Sequence, residues 1–155
     1  MKRKMVIGML TMGMVLCGAM TVSAESDGYV ISASHGYGAV EHWEIKTIGM
    51  QDAAKDLGVE FNYKYADGDL QQEVADIENF VEMGTNYIIV GPCNSEGIVP
   101  VIEEAQDKGV AVGTCDIGIE GVDVASFVSS DNYGIGEIAA DYIGTEMNGE
   151  GEIAI

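Results

Sequence analysis

Short apolar runs rich in β-branched residues alternate along this chain with stretches of helical periodicity, and few folds accept that alternation. The runs are Gly28 to Ser34 (GYVISAS), Val59 to Tyr65 (VEFNYKY), Asn86 to Gly91 (NYIIVG) and Val110 to Thr114 (VAVGT). A shorter fifth covers Val122 to Ser129, and Gly151 to Ile155 enters a sixth. Brief apolar runs punctuated by glycine read as strands buried in a sheet. Between them, Glu41 to Leu57 repeats Ile45, Ile48, Ala53 and Leu57 near helical spacing, with Gly58 just past the end. A second helix, opened by Asp69 with Gln72 in a capping-box relation, places Val74, Ile77 and Val81 on one face and Phe80 beside them. A third carries Ile98, Val101, Ile102 and Ala105 and starts near Gly97, because Pro100 belongs in a first turn. Asn132 to Met147 forms a fourth helix, weakened by three glycines. Alternating units of this size predict an α/β fold, an open parallel sheet with helices on both faces and right-handed crossovers.

The first residues belong to a different reading. Met1-Lys2-Arg3-Lys4 is basic, Met5 to Val22 is apolar or small, and Val22-Ser23-Ala24 is a small-residue cleavage pattern before polar Glu25. This predicts a secretory signal peptide over residues 1–24, cleaved after Ala24, and hence an exported protein. Lipidation at Cys17 is the lesser alternative, because Leu16 replaces the small residue that usually precedes a lipidated cysteine. Three of the seven basic residues fall in this leader, so four lysines face all 26 acidic residues and no arginine remains. A chain so acidic lacks the basic footprint of a nucleic-acid binder. Cys93 and Cys115 both lie at strand ends, where a disulfide and two buried free thiols are both open readings.

Asp116 ends the fourth run abruptly (VAVGTCDIG). Ligands in open parallel sheets collect beyond the carboxyl ends of the strands, and an ionised carboxylate there accepts hydrogen bonds from hydroxyl groups. Asn94 follows the third run and either bonds a ligand or shapes its own turn. Tyr37 and His35 lie in the loop after the first. His35 and His42 with nearby acids match no metal-ligand spacing. Gly36-Tyr37-Gly38 lacks the third glycine of a dinucleotide loop, so neither metal nor cofactor is expected. No GxSxG, catalytic Cys–His or paired-carboxylate pattern marks an enzyme.

Four stretches together resemble the ribose- and galactose-binding class of periplasmic solute-binding proteins, which serve ABC sugar transporters. They are GMQDAAKDLGVEF (Gly49 to Phe61), IENFVEMGTNYIIVGPCNSEGIVPVIEEAQDKGV (Ile77 to Val110), VGTCDIG (Val112 to Gly118) and SFVSSDNYGIGEIAADYI (Ser126 to Ile143). The resemblance implies one lobe of a type I periplasmic binding fold over residues 25–130. It places a hinge at Ser130, Asp131 and Asn132, and residues 131–155 as the start of a second lobe that is largely absent. It aligns Asp116 with the family's ligand carboxylate or amide, His42 and Trp43 with its early aromatic rings, and Glu41 with a polar ligand position. Ile117 stands where many sugar binders carry arginine. The implied function is delivery of a neutral sugar or sugar-like molecule to an ABC permease by cleft closure. The implied form is a monomer at the periplasm or outer face of the envelope. A sensory protein presenting a sugar, polyol or autoinducer to a chemoreceptor, and an exported enzyme, are the alternatives.

Overall fold

In the computed structural model, which describes residues 28–38 and 40–154, the alternation becomes five strands and four helices among the described residues. The leader expected over residues 1–24, and Cys17 within it, lie outside them. The order is β1 (Val30–His35), α1 (Glu41–Leu57), β2 (Glu60–Tyr65), α2 (Leu70–Glu82), β3 (Tyr87–Gly91), α3 (Val99–Asp107), β4 (Ala111–Cys115), β5 (Ser126–Val128) and α4 (Asn132–Glu146). The strands form one sheet in the order β2-β1-β3-β4-β5, and every pairing is parallel. The carboxyl ends therefore share one edge, where the loops after β1, β3 and β4 converge.

Register divides the core. Ser32, Ile88 and Val112 lie abreast, as do Ser34, Val90 and Thr114, and side chains abreast in a parallel sheet share a face. On that face α2 and α3 bring Ile77, Phe80, Val101, Ile102 and Ala105 onto Ile88, Val90 and Val112, forming the main apolar core. The opposite face presents Ala33, His35 and Gly91, and α1 covers it with Trp43, Thr47 and Ala54. The expected inward stripe of α1 is corrected here: Ile45, Ile48 and Leu57 are exposed. The indole of Trp43 decides the rotation, because its flat ring fits the space above Gly91, where a β-carbon would collide with it.

Local chemistry sets the helix ends. The Asp69 carboxylate accepts from the Gln71 and Gln72 N–H groups (2.8 and 3.2 Å), satisfying donors that a helix start leaves open. Gln72 turns to Asp76 instead of back to Asp69, so only half of the expected capping box forms. Gly58 closes α1 at φ 68°, a conformation glycine adopts without strain. Residues 151–154 are not a strand; they find no ladder partner among the described residues, and an isolated strand has nothing to hold it. The Cys93 and Cys115 thiols are both free.

Candidate functional site

The loops at the carboxyl edge hold the residues singled out above, but in different situations. Asp116 follows β4 in a tight three-residue turn: its φ is 67°, and Ile117 N–H donates back to the Cys115 carbonyl (2.8 Å). Aspartate tolerates this left-handed conformation better than most residues. The Asp116 N–H donates to Val128 O of β5 (2.8 Å), fixing the turn against the sheet. Its carboxylate points toward α1, where Lys46 Nζ and His42 Nε2 both meet Oδ2, at 3.0 and 3.2 Å. The Lys46 contact is ionic, not a well-aligned hydrogen bond. The Lys46 ammonium, opposed by partial burial and helped by His42, holds the Asp116 carboxyl below its ordinary pKa. Oδ1 has no partner among the described residues.

Beneath this group runs a column of rings. Tyr65, His35 and Trp43 lie at centroid separations of 5.6 and 5.2 Å, and His42 meets the indole edge-on at 5.7 Å. Lys46 Nζ sits 4.0 Å from the indole centroid, a cation–π contact. Trp43 is only 4% exposed. Here its ring carries Lys46 and His42 to Asp116, and its faces are taken by protein.

An open cavity of about 450 Å³ adjoins Asp116, lined by Lys46, Met50, Cys115, Val128 and Ser130 among others. That is within the size range of small-molecule sites. A larger recess of about 620 Å³, around Asn86, Lys108 and Val110, lies at the amino edge of the sheet, away from the converging loops. The carboxyl edge is where such sheets bind ligands.

The remaining expected residues spread along this edge. Asn94 spends its Oδ1 on the Glu96 and Gly97 N–H groups (3.2 and 2.8 Å), shaping the turn before α3. Tyr37 lies over the loop after β3, its hydroxyl 3.4 Å from the Cys93 carbonyl, and lines a separate small recess with Gly38, Val40 and Asp67. Glu41 is exposed on the first turn of α1. His35 belongs to β1 and is fully buried. Asp131 caps α4 through Gly134 N–H (2.9 Å), and Asn132 N–H donates to Ser130 O. The three residues expected to form the hinge thus run from the link after β5 into the start of α4.

Two residues of this edge escaped the sequence reading. Lys46 stands one turn beyond His42, and that i,i+4 spacing is the signal that joins them. Glu73 of α2 is buried, and its Oε2 accepts from Cys93 N–H (2.9 Å), tying down the loop that carries Asn94. Burial raises the Glu73 pKa, and burial beside Glu73 pushes the Cys93 thiol up to about 12. That thiol is protonated and unreactive at neutral pH.

A periplasmic binding protein domain matches residues 36–155, which include every element from α1 onward. The chain belongs to the periplasmic binding protein family. The periplasmic binding proteins it resembles include the D-xylose-binding periplasmic protein of Haemophilus influenzae, 30% identical over 84% of this chain and 40% of that protein. The ribose import binding protein RbsB of Bacillus subtilis is 29% identical over 68% of this chain and 35% of its own length. Among solved structures, an ABC transporter solute binding protein from Clostridium phytofermentans with bound β-D-glucose superposes with a TM-score of 0.74 at 26% identity. That match covers 79% of this chain and 38% of the other. The chain thus spans about 40% of the length of the relatives it matches. Members of this family are binding proteins rather than enzymes.

Proposed function

We propose that this protein is an exported solute-binding protein whose ligand is a neutral sugar or polyol, delivered to an ABC importer in the membrane. The observation that carries the reading is Asp116. An ionised carboxylate stands at the carboxyl end of a parallel strand beside a cavity, held in a left-handed turn, with one oxygen that no described residue engages. A hydroxyl donates to such an oxygen in a charge-assisted hydrogen bond. His42 supplies a second polar group at the same lip, and Asn94 and Glu41 extend the polar edge. The names of the xylose- and ribose-binding relatives and the glucose-bound neighbour support a sugar over other small solutes.

In a chain of the relatives' full length, a second lobe faces this edge, and closure about Ser130, Asp131 and Asn132 buries the ligand between two walls. Burial on both sides supplies the water exclusion that a small polar ligand needs for tight binding. The test is a thermal-shift and calorimetric screen of such a chain against D-xylose, D-ribose, D-glucose and xylitol. A ligand that binds the folded state raises its melting temperature. At least one of the four should do so, and Asp116→Ala should weaken its binding by about tenfold to a hundredfold, on the scale of a hydrogen bond to a charged group. Asp116→Asn, which keeps an acceptor and tolerates the positive φ, should lose less. No shift with any of the four, or full affinity in Asp116→Ala, refutes the assignment.

A further inference from the structure

Lys46 is gripped from two sides. Its Nζ is buried, lies 4.0 Å from the Trp43 centroid and meets Asp116 Oδ2 at 3.0 Å. The indole under it is packed against Gly91 and His35. His42 Nε2 reaches the same Oδ2. One carboxylate oxygen is therefore taken by two groups of α1, and the other has no partner among the described residues.

We propose that Lys46 is the positioning residue of the binding site: it turns Asp116 so that Oδ1 alone is offered to the ligand, and it leaves no free lysine for an acidic one among the described residues that line the cavity. This rests on the function proposed above and deepens it, because it selects hydroxyl donors against sugar acids. A uronic acid brings a carboxylate to an edge where the lysine charge is already neutralised by Asp116, and like charges repel at such distances. With Asp116 neutralised by mutation, the same lysine becomes free to pair with an acid.

The groups facing Asp116 are Lys46 and His42 from α1 and the Cys115 thiol of its own strand, which burial keeps protonated. From the β5 side the cavity is lined by Val128, Ser129 and Ser130, none of which titrates in this range. Lys46 is the principal cause of the depressed Asp116 pKa, so carbon-13 NMR titration of the Asp116 carboxyl reads its role without any ligand. In the 155-residue chain, Lys46→Met should move that midpoint up toward the ordinary aspartate range, and Lys46→Arg should hold it down. In a chain of the relatives' full length, Lys46→Met should weaken binding of the responding neutral sugar by about tenfold. Asp116→Asn should improve D-glucuronate binding relative to D-glucose. An unmoved midpoint in Lys46→Met, or unchanged sugar affinity in that variant, overturns the proposal while leaving sugar binding intact. If the parent protein binds none of the four neutral solutes, the proposed function falls, and the titration still decides whether Lys46 sets the carboxylate.

Discussion

At the end of β1 the His35 imidazole is fully buried between Trp43 and Tyr65, and neither ring nitrogen has a hydrogen-bond partner among the described residues. Burial, aided by the positive charge of Lys46, lowers its pKa from 6.5 to about 4. The unfolded chain takes up a proton near pH 6.5 that the folded chain refuses until about pH 4, so acid favours unfolding across that window. The stability held by neutral His35 is complete above about pH 6.5 and is lost as the pH falls to about 4, a difference of order 3 kcal/mol. Urea midpoints at about pH 7, 5.5 and 4.5 should fall steeply in the parent protein and much less in His35→Phe, which cannot titrate; equal slopes would assign the acid sensitivity elsewhere. Asp116 was legible because it interrupts an apolar run at a strand end. Lys46 and Glu73 were not. A lysine or glutamate inside a helix reads as solvated, and only tertiary packing shows that one lies under a carboxylate and the other under a loop.

Among the elements, α1 does most to build the site, and its rotation depends on Gly91. A β-carbon at that position would strike the six-membered ring of Trp43, and overfilling a packed core typically costs about 1–3 kcal/mol. Gly91→Ala should therefore lower the urea midpoint and, by lifting the indole, disturb the Lys46–Asp116 pair above it. A variant with unchanged stability would mean that the ring has room to shift. The strand–helix order was readable because strand runs are short and uniformly apolar while helices carry caps and terminal glycines. The inward face of α1 was not readable. Ile45, Ile48 and Leu57 are its large aliphatic groups and all three are exposed, yet the helix seats Trp43, Thr47 and Ala54. Periodicity finds a stripe, and the shape of the facing sheet chooses which stripe is buried.

For the whole molecule, stability is unevenly spread. The sheet with α2 and α3 encloses the main core, whereas no residue of α4 is buried, and Tyr133, Ile138 and Tyr142 are each at least 66% exposed. Regions with little buried apolar surface open at small free energies. Amide hydrogen exchange of the 155-residue chain should show α4 exchanging orders of magnitude faster than β1, β3 and β4; equal protection would show that α4 is held as firmly as the core. The all-parallel strand order has a further, kinetic consequence. No pair of neighbouring strands can be closed by a hairpin: Val30 must find Glu60, Ile31 must find Tyr87, and the Asp116 turn is anchored only when Val128 arrives. Such distant pairings make folding slow. The Lys46–Asp116 pair exists only once α1 and β4 have docked on the same sheet, so the ligand proposed above would have nothing to grip on a partly folded chain. On the function proposed above, bound sugar should slow unfolding and leave the folding rate unchanged.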